Sequence, residues 1–404
     1  MTFSKRFLLI SGAAGALALV LAGGSAAAVT AQSATMAATM AATDTSGAMA
    51  GTATMAPTSS LVFTPVATVA ANADGSLPEL HVYNYTTYIA DDTITNFEKL
   101  YHVKVVYDTY ATSPEMVTKI QGGNPGYDVI VPPDYSVSQL AKAGLLLPLD
   151  LSKLPNFTKY AGKSFQNPIY DPGNKYSVAY QWGTIGIGYN PAKVGKTITS
   201  WNDLFDPKLK GRVAILDSER ESIAIILNLL GKDPNSINKA DLDAVKAFFI
   251  AHKDVIARFH AADGQFDVAK GALDAISDWN GDFNQVMSDP ANAKAGLSFV
   301  LPKEGTVRWV DNLAIPKGAP NPSLAMTFIN YLYDPQVAAD ISNSIGYATP
   351  NQAALDQGLI SKDDQANPAL YAPNSVKQFT LIDLGDAQTL YDTTWADIKA
   401  AVSQ

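Results

Sequence analysis

A chain of 404 residues, 47% hydrophobic and 17% charged, can hold two domains with substantial cores, and this composition excludes a bundle of membrane helices. The formal net charge of -9 disfavours nucleic acid or anionic lipid as a partner and mildly favours encounter with cations. With no cysteine, the chain has no disulfides, no iron–sulfur cluster and no thiol catalysis.

The N-terminus reads as an export signal over residues 1–31: Lys5 and Arg6, an apolar run over residues 7–22, then small residues suited to cleavage before Gln32. Gly24 stands where a lipoprotein would carry its lipidated cysteine. Uncleaved, the uncharged stretch 7–30 is long enough to remain as a membrane anchor. Residues 32–76 are mostly Ala, Thr, Ser, Met and Gly, with the direct repeat Met36-Ala37-Ala38-Thr39 and Met40-Ala41-Ala42-Thr43. Such a segment buries too little apolar surface to offset chain entropy, so it reads as a flexible linker.

Ordered structure is expected from Leu77. A strand at residues 80–83 is followed by a helix at 93–100 that places Ile94 and Phe97 on one face, then a strand at 103–107. Ser113-Pro114-Glu115 supplies an N-cap, a first-turn proline and an acid for a helix ending by Gly122. A third strand at 127–131 and a helix from Val137 to Gly144 complete an alternation that implies a parallel sheet. The pattern then recurs. Ser200-Trp201-Asn202-Asp203 reads as a capping box, residues 212–216 as a strand, and 221–230 as a helix closed by Gly231. Strands at 272–277 and 297–301 precede a long crossing strand at 307–315 and two amphipathic helices at 322–331 and 335–344.

Two α/β lobes joined by crossing strands leave a cleft, and open α/β sheets bind ligands beyond the carboxyl ends of their strands. Asn84, Tyr85 and Tyr88 fall there after the first strand, Asp134 and Tyr135 after the third, Asp217 to Glu221 at a strand–helix junction, and Trp279 to Asp282 after another strand. Trp279 lies three residues from Asp282, and Trp309 two from Asp311. Indole faces beside acids suit an organic cation, because the ring quadrupole attracts ammonium and the carboxylate neutralises it. Asp311 is informative because acids are depleted from strands and costly when buried unpaired. Arg308 is its nearest rival partner, but strand alternation directs residues three apart to opposite faces.

Enzymatic signatures are missing. There is no Gly-x-Ser-x-Gly, His-Glu-x-x-His or phosphate loop, and the four histidines are scattered without ligand spacing, so neither cofactor nor metal is expected. Gly183-Thr184-Ile185-Gly186-Ile187-Gly188 has the wrong spacing for a dinucleotide site and reads as close strand packing. Paired carboxylates with Trp279 could serve a glycosidase. An anionic ligand would need basic residues in the cleft, where Arg220 is the exception among acids.

Tyr83-Asn84-Tyr85-Thr86-Thr87-Tyr88, Tyr127-Asp128-Val129-Ile130-Val131-Pro132, Asp278-Trp279-Asn280-Gly281-Asp282, Pro302-Lys303-Glu304-Gly305 and Trp309-Val310-Asp311-Asn312-Leu313-Ala314-Ile315-Pro316 resemble the periplasmic polyamine-binding proteins of ABC transporters. The resemblance runs from Leu80 to the C-terminus. Gly231-Lys232-Asp233-Pro234-Asn235-Ser236 and the tail around Phe379-Thr380-Leu381 are nearer the putrescine-binding than the spermidine-preferring kind.

The resemblance implies a two-lobed periplasmic-binding-protein fold of type II, with one lobe from residues 77–186 plus 312–345 and the other from 187–311 plus 346–404. The expected ligand-binding residues are Tyr85, Thr86, Tyr88, Asp134, Tyr135, Glu221, Trp279, Asp282, Trp309 and Asp311, of which the resemblance implies Tyr85, Tyr88, Glu221, Trp279, Asp282, Trp309 and Asp311 and the strand-end loops supply the rest. Tyr85 and Tyr88 would lie along the ligand methylenes, Trp279 and Trp309 would wall the slot, and Glu221, Asp282 and Asp311 would hold ammonium groups. Thr87, Pro133 and Ser218 depart from the family pattern, the first and last where acids are usual, with Asp134 and Glu219 as adjacent unmatched acids. The expected protein is an exported, monomeric receptor that delivers a putrescine-like diamine to ABC transporter permease subunits. A same-fold receptor for another small organic solute and a tethered amine sensor are the alternatives.

Overall fold

The computed structural model describes residues 70–261 and 263–403, and the export signal and most of the low-complexity linker lie outside the described residues. The strands are β1 (Glu79–Tyr85), β2 (Lys104–Tyr110), β3 (Val129–Ile130), β4 (Ser177–Tyr189), β5 (Val213–Leu216), β6 (Ile256–His260), β7 (Ala275–Trp279), β8 (Ser298–Val300), β9 (Thr306–Ala314) and β10 (Gln378–Phe379). Their order across the sheet is β2-β1-β3-β9-β4-β7-β5-β6, with β10 beside β9 and β8 beside β4.

This order separates two parallel halves. β1 pairs in parallel with β2 and β3, and β5 in parallel with β6 and β7. Between them run β4 and β9, antiparallel to each other. β4 pairs with β9 through residues 177–184 and then with β7 through residues 185–189. One continuous strand therefore passes from the β1 lobe into the β5 lobe, and the cleft lies where the neighbours change.

Close approach of β4 to its surroundings depends on glycine. A Cβ at Gly183 would overlap the Trp309 indole and the Asn280 amide, and one at Gly188 would overlap the Phe283 ring. Each lobe also has an apolar cluster of its own, Tyr83, Met116, Ile120, Ile130, Val137 and Leu140 in one, and Ala214, Ile276, Phe283 and Phe299 in the other.

Most element boundaries follow the sequence signals. The Ser200 capping box forms, with Asp203 accepting from the Ser200 backbone, and the helices Pro322–Leu332 and Pro335–Ile345 start at their prolines. Three expectations shift. The cap of helix Ser113–Gln121 is Thr112, whose hydroxyl accepts from Glu115 N at 3.4 Å; its extended backbone fits a cap, whereas Ser113 is already helical. The third strand shortens to Val129–Ile130, because Tyr127 leaves the ladder to stack on Tyr83 at 4.4 Å. The following helix begins at Asp134 rather than Val137, the extended Pro133 serving as its N-cap residue.

Candidate functional site

The loops at the carboxyl ends of β1, β3, β5 and β7 converge on Trp309 and Asp311 of the crossing strand. Alternation places Trp309 and Asp311 on one face of β9. Arg308 faces away and lies over the Phe165 and Trp182 rings at 4.7 and 5.0 Å. Asp311 forms no ion pair with it.

After β1 the chain turns at Thr87, whose φ of 54° is unusual for a β-branched residue. The turn aims the Tyr88 hydroxyl at Asp311, to which it donates a 2.8 Å hydrogen bond. The Tyr85 ring meets Tyr88 edge-on at 5.5 Å and Tyr110 at 4.4 Å. After β3, Pro133 bridges to Asp311, and the next residue, Asp134, opens helix Asp134–Lys142. Oδ1 of Asp134 accepts from Tyr135 N at 2.8 Å, while its buried Oδ2 has no hydrogen-bond partner. After β5, Ser218 precedes helix Glu219–Leu229 and donates its hydroxyl to Glu221.

The other end of the site follows β7. Asp278 is buried, its Oδ1 accepting from Trp279 N at 2.9 Å and its Oδ2 unpartnered. Asp282 sits in the first turn of helix Asn280–Ser288 and accepts from the Tyr347 hydroxyl at 2.5 Å. Asn280 fixes this junction, accepting from Thr184 N of β4 at 3.0 Å and donating to the Ala369 carbonyl at 3.0 Å. The Tyr347 ring meets Trp309 at 5.2 Å and Tyr88 at 5.7 Å. An aromatic wall, Tyr85–Tyr88–Tyr347–Trp309, thus connects one group of carboxylates to another.

Electrostatically these acids are under tension. Burial pushes Asp311 up to about 7, with the Tyr88 hydrogen bond opposing and the Glu221 charge adding to the shift. Burial also raises Glu221, and raises Asp134 well above the usual carboxylate range, with the Asp311 and Glu221 charges acting in the same direction. At the far end burial raises both Asp278 and Asp282, and the Asp282 charge raises Asp278 further. Among the described residues, no lysine, arginine or histidine forms a salt bridge with any of these five acids. Arg220 comes within electrostatic reach of Asp134 and Glu221 but donates through Nη2 to the Ile382 carbonyl at 2.7 Å. Buried carboxylates raised by desolvation and without a salt-bridge partner are chemically able to receive a cation.

Eight of the ten residues singled out from sequence join this constellation: Tyr85, Tyr88, Asp134, Tyr135, Glu221, Asp282, Trp309 and Asp311. Trp279 is half-buried beside it, packed against the main core. Thr86 is exposed, its hydroxyl directed to the Tyr110 carbonyl at 3.4 Å. Asp217 is held elsewhere, by the Trp395 indole at 2.9 Å and by Lys399. Sequence reasoning missed Tyr347 altogether and gave Asp278 no role. The one sequence signal for Tyr347 is Gly346, which ends helix Pro335–Ile345 in the left-handed conformation and turns the chain back toward β4.

Comparison with known proteins agrees with this architecture. The family described as bacterial extracellular solute-binding protein matches residues 92–372. The putrescine-binding periplasmic protein SpuD of Pseudomonas aeruginosa is 35% identical over 83% of this chain and 95% of its own length. The putrescine-binding periplasmic protein PotF of Escherichia coli is 37% identical over 75% of this chain and 86% of its own. Among solved structures, a putative spermidine/putrescine ABC transporter protein from Listeria monocytogenes superposes with a TM-score of 0.73 at 34% identity, covering 80% of this chain and 98% of that one. The chain therefore belongs to the bacterial extracellular solute-binding protein family, with its two-lobed periplasmic fold, and is a binding protein rather than an enzyme.

Proposed function

We propose that this protein is an extracytoplasmic receptor that captures a small diamine, putrescine-like in preference to spermidine, and presents it as a monomer to the permease subunits of an ABC importer. The observation that carries this reading is the pair of buried carboxylate groups, Asp311 with Glu221 and Asp134 at one end and Asp282 with Asp278 at the other, joined by an aromatic wall. An ammonium at each end would receive charge-assisted hydrogen bonds worth about 1.5–3 kcal/mol apiece, while the rings cover the methylenes between.

The ten residues read from sequence are the proposed ligand contacts, Trp279 and Thr86 included as residues at the rim. The preference for the shorter ligand is supported by Thr87 and Ser218, which lack the acids a longer amine would use. It is also supported by the words putrescine-binding in the names of two similar proteins. The lobe limits proposed from sequence, 77–186 plus 312–345 and 187–311 plus 346–404, place ligand contacts in both lobes, so binding should draw the lobes together.

Titration calorimetry with putrescine, cadaverine, spermidine and an anionic amino acid tests the reading. Diamines should bind, spermidine more weakly, and the anion not at all. A protein that binds no polyamine would have another ligand.

A further inference from the structure

One helix of the β1 lobe, Asp134–Lys142, carries two of the proposed contacts at its start and is gripped at both ends by the β5 lobe. At its first turn the Arg220 guanidinium lies 5.0 Å from the Tyr135 ring centre and 5.4 Å from that of Tyr391. Arg220 is only 5% exposed, its Nη2 donates to the Ile382 carbonyl at 2.7 Å, and its Nε and Nη1 have no hydrogen-bond partner. At its last residue, Lys142 Nζ meets Asp383 Oδ2 at 2.7 Å.

The two grips meet at one strap, which accepts from Arg220 at Ile382 and pairs with Lys142 through Asp383. Thr380 to Asp383 follows β10, and Asn235 anchors it by accepting from Ile382 N at 3.1 Å and donating to the Thr380 carbonyl at 3.0 Å. Beyond it, helix Gln388–Val402 packs on the β5 lobe, where Gln388 holds Glu219 at 2.8 Å. The strap is thus fixed to the β5 lobe, and its only described ion pair to the β1 lobe is Asp383 with Lys142.

A buried guanidinium within cation–π reach of two phenol rings, with no salt bridge to a carboxylate among the described residues, holds those rings in place. It keeps Tyr135 fixed, leaves Asp134 and Glu221 free to face a ligand, and contributes positive potential without filling the site. We propose that Arg220 and the strap Thr380–Asp383 are positioning elements. They clamp helix Asp134–Lys142 across the cleft once the lobes meet, seating Asp134 and Tyr135 on the bound amine and slowing its escape. This role rests on the receptor reading above, whose ligand it would retain.

Lys142 and Asp383 allow the test, because both lie outside the amine contacts and Lys142 is largely exposed. Lys142→Asp, Asp383→Lys and the double exchange would be compared with wild type by stopped-flow tryptophan fluorescence, with putrescine as the probe. Each single reversal sets like charges across the cleft and should speed putrescine dissociation roughly three- to tenfold, with association changed less than twofold. The double exchange should restore the wild-type dissociation rate, and 1 M salt should erase the differences. Unaltered dissociation in both single variants, or no restoration in the double, overturns the clamp. Wild type that does not respond to putrescine sinks the receptor reading instead. Melting temperatures then decide the clamp: losses in both single variants recovered in the double support it, and independent effects refute it.

Discussion

The two carboxylate ends of the site are built differently. At the Asp311 end, Asp134 comes from the β1 lobe, Glu221 from the β5 lobe and Asp311 from the strand between them, with Arg220 close by. At the Asp282 end, Asp278 and Asp282 come from one strand–helix junction of the β5 lobe, and among the described residues neither forms a salt bridge with an arginine. The first end draws its acids from both lobes and from the strand between them. Under the lobe limits proposed above, the second, the Tyr347 hydroxyl included, belongs to one lobe, which would suit it to receive an ammonium first. A ligand docked there would then draw the β1 lobe onto its other end.

The sharpest way to break this comparison is to neutralise each end in turn. Asp311→Asn keeps the shape and removes the charge at the end that depends on both lobes. It should cost about 2–5 kcal/mol of diamine binding, or roughly one and a half to more than three decades in Kd by titration calorimetry. Asp282→Asn should cost less, about 1–2 kcal/mol, because the neighbouring Asp278 can carry the negative charge that the pair otherwise shares. Equal losses would show that the two ends are equivalent.

Acidity gives a second test of the Asp311 end, burial raising the acids at both ends. Asp311, pushed up to about 7 by burial, retains in the folded protein a proton that the unfolded chain loses near its ordinary carboxylate range. Its contribution to ligand-free stability is therefore present at low pH and is lost as pH rises through about 7. Amine binding runs the opposite way, since it needs the carboxylate. Diamine affinity should fall roughly tenfold from pH 7.5 to pH 6, with proton release visible as a buffer-dependent binding enthalpy. Asp311→Asn should flatten that pH dependence, whereas Asp282→Asn should leave most of it.

The smallest expected effect is that of Tyr347→Phe, which keeps the ring against Trp309 and Tyr88 and removes only the hydroxyl on Asp282. A change of about 0.5–1.5 kcal/mol in diamine binding is expected, with melting temperature little altered. A loss as large as that of Asp311→Asn would make Tyr347 a principal ligand contact.

Much of this was legible in the sequence because local rules and tertiary demands coincide. The crossing strand announces itself by its length and its Val, Trp and Leu residues, with the acid Asp311 set among them, and the capping box at Ser200 and the proline-led helices need only their own residues. The convergence of the loops after β1, β3, β5 and β7 was legible because strand ends in an open sheet share one edge. What escaped depends on contacts between distant segments. Tyr347 meets Asp282 across 65 positions of sequence, and Gly346 signals the turn there but not the partner it leads to. Arg220 stood out only as a cation among acids; its stacking on Tyr135 and Tyr391 needs three separate segments in place. Tyr127 looked like strand because its composition is strand-like, and only the stack on Tyr83 shows why it leaves the ladder.

The glycines of β4 bear on how such a receptor can change its taste. Gly183, Gly186 and Gly188 admit the rings of Trp309, Phe299 and Phe283 where any side chain would collide, so the frame that joins the lobes tolerates almost no variation at these positions. The loop residues at 87, 133 and 218 answer to local demands instead, a left-handed turn at Thr87 and helix starts at Pro133 and Ser218, and no packed ring closes over them as over the β4 glycines. Ligand preference can therefore drift or be engineered through loop substitutions while folding stays secure, and a library that varies those loops and holds the β4 glycines constant should yield a high fraction of folded receptors with altered amine selectivity.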